Sequence, residues 1–165
     1  MSISAAAIPA AAITQAKLAA NVAGNGPLFM AYQSVSQTLP AGTYTKLSFQ
    51  TEEYDTHSAF SAGTVVTNGD LTNRFTPQIA GFYQVNGLFF MNGAGFERIV
   101  ALYKNGVTYK YGADAASNYA VGVAALVYLN GSTDYIELFG YSSDSRGISV
   151  GTAFTYFQGY LVRAA

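Results

Sequence analysis

Charge is scarce in this 165-residue sequence: nine Asp and Glu and eight Lys and Arg make up 10% of it, against about a quarter in an average soluble domain. Cysteine and tryptophan are absent, histidine occurs once and proline four times. Without cysteine there is neither a disulfide framework nor a thiolate metal site. The few cations are scattered and the net charge is −1, so no basic strip exists to follow phosphates and nucleic acid is not an expected partner. No apolar run is long enough to span a bilayer, and no membrane partner is expected. The opening stretch "MSISAAAIPAAAITQAKLAANVAG" is apolar but broken by Pro9, Gln15, Lys17 and Asn21. A secretory signal is the alternative reading there, because the small residues of "ANVAG" suit cleavage; against it, the only lysine lies inside the run instead of before it.

Catalytic patterns are equally thin. The lone His57, in "EEYDTHSAF", has no strained nucleophile turn such as G-x-S-x-G to serve, and it reads as a loop histidine. Glu52 and Glu53 are adjacent, so on a strand they point to opposite faces and cannot flank a scissile bond as a carboxylate pair. Asp55 and Asp134 are the candidates for calcium ligands, but the acids are not clustered at alternating loop positions and solvated loops are the preferred reading. No phosphate-binding loop, nucleotide fingerprint or metal-ligand spacing occurs. The expectation is no enzyme, no catalytic residue, no cofactor and no metal.

What is present is apolar: half the residues are hydrophobic and 15% are aromatic, all Tyr or Phe. One domain is expected from the length. The composition shifts near "VAGNGP" (22–27), a loop signal that divides an arm, 1–26, from a body, 27–165. The arm holds ten alanines and no aromatic. Ile3, Ile8, Ile13 and Leu18 recur every five residues, a period of neither helix nor strand. They read as a docking arm that sets one aliphatic anchor per step into a groove; the alternative is an unstructured low-complexity terminus.

The body reads as all-β, with strands expected at 27–34, 43–51, 82–91, 98–104, 119–129, 134–141 and 152–162 and shorter ones near 60–67 and 108–112. Turn signals separate them at "KNG" (104–106), "LNGSTD" (129–134) and "DSRG" (144–147). Many short strands without a helical period mean a sandwich or barrel. Several strands carry apolar residues on both faces. Ile136 and Leu138 oppose Tyr135, Phe139 and Tyr141; Phe157 and Leu161 oppose Phe154, Tyr156 and Tyr160. Val121, Val123, Val127 and Leu129 oppose Leu126 and Tyr128. One face is an aliphatic core. The tyrosine-rich face, with Tyr128, Tyr135, Phe139, Tyr141, Phe154, Tyr156 and Tyr160, is expected to be covered by other copies of the chain; a second sheet of the same chain is the alternative cover.

In "FTPQIAGFYQVNG" (75–87), Pro77 belongs at a strand edge or end, Gly81 where a side chain would obstruct the backbone, and Tyr83, Val85 and Gly87 on one strand face. This F-x5-G-x-Y spacing resembles the central signature of the complement-component-1q / tumour-necrosis-factor-like jelly roll, with Val85 standing where the family usually has an aromatic. "GPLFMAYQS" is similar to the family's opening strand and "VALYKNG" to its strand and Asn-Gly turn. "LNGSTDYIEL" is similar to its Gly-Asp-x-apolar-x-Leu stretch, with Ser132 and Thr133 inserted, and "FQGYLV" to its closing strand. The resemblance covers about residues 27–163. It implies a two-sheet antiparallel jelly-roll sandwich of about ten strands, a compact homotrimer around a non-polar axis, and a binding head instead of an enzyme.

The wording of these segments looks most like the version found in bacteriophage virions. A body preceded by a 26-residue arm fits a capsid decoration or head-fibre protein better than a tail fibre, which needs a long shaft. The expected partners are then its own copies and the major capsid protein or a fibre or baseplate protein, at the virion surface after synthesis in the bacterial cytoplasm. The alternative is the receptor-binding tip of a tail fibre or baseplate, recognising a host surface glycan or protein through loops Asn92 to Phe96, Asp114 to Asn118 and Ser142 to Arg146.

Overall fold

A computed structural model describes residues 25–65, 69–116 and 120–165; the arm anchors Ile3, Ile8, Ile13 and Leu18 lie outside the described residues. Thirteen strands follow in order: β1 (Leu28–Tyr32), β2 (Thr38–Leu39), β3 (Thr45–Lys46), β4 (Thr51–Asp55), β5 (Phe60–Ser61), β6 (Arg74–Phe75), β7 (Gly81–Phe89), β8 (Arg98–Lys104), β9 (Val107–Ala115), β10 (Val121–Leu129), β11 (Ile136–Ser142), β12 (Arg146–Gly147) and β13 (Tyr156–Ala164). No helix occurs among the described residues. A five-stranded sheet runs β10-β7-β13-β1-β4; a six-stranded sheet runs β5-β6-β11-β8-β9, with β3 also on β11; β2 and β12 form a small ribbon. Every pairing is antiparallel. The strand count exceeds the expected ten because five of the pieces are only two residues long.

Strict alternation along β7 shows how the sequence sets the layers. Tyr83, Val85 and Phe89 are fully buried between the sheets, whereas Phe82, Gln84, Asn86 and Leu88 turn outward. From the facing sheet, Val100, Leu102, Ile136 and Leu138 fill the same core. Gly87 keeps the inward row of β7 open for Leu138, whose methyl groups occupy the space a Cβ would take. At the other end Phe29 is the hub: its ring stacks on Phe60 at 4.8 Å and Phe75 at 4.4 Å and meets Phe157 edge-on at 5.0 Å. Each such side chain contributes about 1.5–3 kcal/mol by leaving water.

The expected strand 43–51 is divided, for a topological reason. β3 pairs with β11 in one sheet and β4 with β1 in the other, so residues 47–50 carry the chain across the sandwich. Leu47, Ser48 and Phe49 are buried there, and side chains supply part of the missing ladder. Ser48 N–H donates to Gln37 Oε1 at 3.0 Å and Phe49 N–H to Asn73 Oδ1. Pro77 lies between β6 and β7, outside any ladder. At Gly81, which opens β7, a Cβ would sit 2.5 Å from the Arg163 carbonyl oxygen. The "KNG" turn is the β8–β9 hairpin, with Asn105 and Gly106 at φ 54° and 77°.

Candidate functional site

Outside the core the two sheets differ. Across the outward face of the five-stranded sheet the register sets Leu126, Gln84, Tyr160 and Leu28 in one row. Ala124, Asn86, Gln158, Met30 and Tyr54 form the next, and Leu88, Tyr156 and Tyr32 the one beyond. Large apolar groups stay open to solvent on this face in the single chain: Leu126 is 51% exposed, Tyr160 50%, Tyr54 46% and Tyr128 42%. Phe82 tilts against Tyr128 at 5.5 Å. Phe154, just before β13, stacks on Phe90 at 5.7 Å at the far end. A depression of about 270 Å³ opens among Leu28, Tyr54, Gln158 and Tyr160. The amides of Gln84, Asn86 and Gln158 interrupt the apolar surface at its middle and exposed Arg163 does so beside Phe82, and Gln84 Nε2 donates to Asn86 Oδ1 at 3.1 Å. An apolar sheet face of this extent marks an interaction surface.

The expected seam residues do not all lie here. Tyr128, Tyr156 and Tyr160 share this face and Phe154 borders it, but Tyr135, Phe139 and Tyr141 lie on β11 or just before it, on the opposite outward face. Alternation reveals which residues share a strand face; it does not reveal which sheet the strand joins. The second group is covered by its own chain. Phe139 is 7% exposed and stacks on Tyr103 at 3.9 Å. Tyr44 leans over Tyr141, Tyr111 and Tyr103 at 5.1, 5.9 and 6.5 Å. Burial, then the neighbouring Tyr111 and Tyr103, push the Tyr44 hydroxyl up to about 12, so it stays a neutral donor. On this side the same chain supplies the cover through the loop residue Tyr44, and not through a second sheet.

Beside that cluster the Lys46 ammonium, fully buried, donates to the Asp70 carboxylate at 2.8 Å, the Asp70 and Thr72 carbonyls at 2.7 and 3.0 Å and Glu137 Oε1 at 3.2 Å. Burial raises the pKa of Glu137 even against Lys46. The network ties the chain near residue 70 to the six-stranded sheet, a structural duty that no sequence motif announced.

The three loops singled out as a possible recognition surface do converge. Gly95 N–H donates to the Ala116 carbonyl at 3.1 Å, and Glu97 and Ser143 exchange hydrogen bonds of 2.8 and 3.0 Å. Phe96 sits there between the Arg98 and Arg146 guanidinium groups, 4.2 and 4.5 Å from its ring centre. Ser117 and Asn118 fall outside the described residues. His57 Nδ1 lies 2.8 Å from Thr56 Oγ1. The Asp55 carboxylate accepts from Phe60 N–H at 2.8 Å, and Asp134 bridges Lys104 at 2.9 Å and accepts from Asn105 Nδ2 at 2.8 Å. Both aspartates thus serve as loop locks. No group of three or more His, Asp or Glu side chains is placed to hold a metal ion among the described residues, and no described helix is long and apolar enough to cross a membrane.

No protein-family model and no curated protein matches the chain. Solved structures do resemble it. The globular domain of zebrafish complement 1qA protein superposes with a TM-score of 0.60 at 15% identity, covering 84% of this chain and 99% of that one. Murine APRIL at pH 8.0 gives 0.60 at 11% identity, covering 82% and 98%. Eiger TNF from S. frugiperda gives 0.53 at 11%, covering 84% and 92%. The fold is thus an antiparallel jelly-roll sandwich of the complement-1q and tumour-necrosis-factor type.

Proposed function

We propose that this chain is a non-enzymatic structural protein of a bacteriophage virion, a capsid decoration or head-fibre protein that assembles as a homotrimer and docks through residues 1–26. The observation that carries the assembly is the outward face of the five-stranded sheet, where Leu126, Tyr128, Tyr54 and Tyr160 stand half exposed in the single chain. Leaving such a face wet invites non-specific association, and pressing it onto sister copies removes it from water. The virion assignment rests on the wording of the sequence segments and on the arm. Ile3, Ile8, Ile13 and Leu18 each add up to about 1.5–3 kcal/mol if fully buried on a particle. Three linked arms multiply that affinity through effective concentration.

Deleting residues 1–24 tests this reading while keeping Gly26 and Pro27, which are buried against the body. The truncated protein is expected to remain trimeric and to lose capsid loading; full loading without the arm contradicts the docking role. The convergence of loops 92–96, 114–116 and 142–146 at one end favours a second reading, a host-recognition tip. That reading expects purified trimer to bind host cells or isolated surface glycan, and Arg146→Ala to weaken the binding.

A further inference from the structure

We infer that the Lys46 and Asp70 side chains condense after folding into an amide, with Glu137 moving the protons, so that a chain without cysteine gains an internal covalent cross-link. The reaction takes place within one copy and is independent of the assembly and docking proposed above.

Three separate parts of the chain bring the groups together. Lys46 lies on β3 and Glu137 on β11, antiparallel neighbours in which Lys46 pairs with Phe139 and the Leu47 N–H donates to the Leu138 carbonyl at 2.9 Å. Asp70 comes from the segment before β6. That segment is pinned to the sandwich: Phe49 N–H donates to Asn73 Oδ1, and Asn73 N–H to the Ser61 carbonyl. The Lys46 nitrogen stands 2.8 Å from Asp70 Oδ1 and 3.2 Å from Glu137 Oε1. A nitrogen held at that distance from a carboxyl oxygen is also close to the carboxyl carbon, and such fixed proximity replaces a costly encounter. Asp70 Oδ1 has two further donors, the Thr72 N–H at 3.1 Å and the Thr72 hydroxyl at 2.9 Å. Both are aimed at the atom on which negative charge develops when the carbon is attacked.

One ammonium here faces two carboxyl groups in a site nearly closed to water. Burial raises the Glu137 pKa even against Lys46 and the neighbouring Arg74, and Asp70 raises it further, so Glu137 holds a proton that it can exchange. Glu137 Oε1 accepts a proton from the Lys46 nitrogen while its carboxyl passes one to Asp70 Oδ2, leaving a neutral amine beside a neutral acid. The nitrogen lone pair forms a bond to Asp70 Cγ, and the carbonyl electron pair moves onto Oδ1. A second proton follows the same path from nitrogen to Oδ2. The Cγ–Oδ2 bond then breaks, water leaves, the carbonyl re-forms and Glu137 is regenerated. Ammonium and carboxylate have become amide and water, with no oxidant or outside reactant. The Lys46 side chain is fully buried and that of Asp70 is 19% exposed, so the water is released on the open side. The amide keeps one N–H, for which the Asp70 and Thr72 carbonyls already stand at 2.7 and 3.0 Å. Two buried charges disappear, and the segment before β6 is stapled to β3 without sulfur chemistry.

Intact-mass spectrometry of the full-length protein in denaturant tests this. The wild type is expected to be lighter than its chain by one water, and digestion to yield a branched peptide joining Lys46 to Asp70. Lys46→Arg and Asp70→Ala are each expected at full chain mass. In cell-free synthesis sampled over time, Glu137→Gln is expected to condense about 10²–10⁴-fold more slowly than wild type, and Glu137→Asp, which keeps a carboxyl, to recover part of the rate. The wild-type mass and the branched peptide decide the cross-link whatever the folding of any variant. A wild type at full chain mass overturns it, and leaves Lys46, Asp70 and Glu137 as an ion-paired cluster. A water loss that survives in Lys46→Arg, or that maps to a cyclised Asp or Asn backbone, overturns it as well. Condensation of Glu137→Gln at the wild-type rate overturns the part given to Glu137.

Discussion

Asp134 illustrates how a loop acid in this fold earns its place by holding backbone. The hydrogen bond from Asn105 first, then Lys104 and the Asn130 N–H, keep its carboxyl below the ordinary aspartate range. A depressed folded value means stability that is present above the unfolded pKa and lost as pH falls through the folded one. Asp134→Asn is therefore expected to lower stability in denaturant melts at neutral pH, with the difference from wild type vanishing below the carboxylate range. Glu137 has the opposite sign. Burial raises its pKa despite Lys46, so its contribution is present below the unfolded value and lost as pH rises through the folded one. Melts of Glu137→Gln across the same range are expected to lack that alkaline-side loss. Gly131 is a steric matter: at φ 71°, with Ala80 N where its Cβ would be, Gly131→Ala is expected to destabilise by about 1–3 kcal/mol or more. Thermal unfolding checks it.

Elements were legible in proportion to how strictly they alternate. β8 occupies the expected residues 98–104, and β7 and β13 differ from expectation by a few residues at their ends, because two-residue periodicity and Gly or Asn turns mark them plainly. Residues 43–51 misled, since Thr45–Lys46 and Thr51–Asp55 belong to different sheets while the buried Leu47 and Phe49 between them preserve the appearance of one strand. The candidate site was half legible for the same reason. Tyr128, Tyr156 and Tyr160 fell on the open face, but Tyr135, Phe139 and Tyr141 carry the same local pattern and lie behind the other sheet. Leu28, Tyr54 and the amide strip were missed, because a hollow between three strands distant in sequence has no linear signature. Inward and outward positions should now respond differently. Phe157→Ala, at the contact with Phe29 and Phe49, is expected to cost about 3–5 kcal/mol of single-chain stability. Tyr160→Ser on the same strand is expected to leave that stability nearly unchanged and to reduce assembly, which chemical denaturation and light scattering separate.

For the molecule as a whole, scarcity of charge and abundance of tyrosine acquire a structural meaning. One aromatic surface, behind β11, is folded under Tyr44 and Tyr103 by the chain itself. The other, on β10, β7, β13, β1 and β4, has nothing from the described chain over it, and its exposed Leu126, Tyr54 and Tyr160 call for a second molecule. Sedimentation equilibrium of the intact protein across a range of concentrations and salt addresses that most directly. A three-copy mass that persists on dilution is expected. A monodisperse single-copy species, with Tyr54, Tyr128 and Tyr160 freely reactive toward a water-soluble tyrosine reagent, contradicts it.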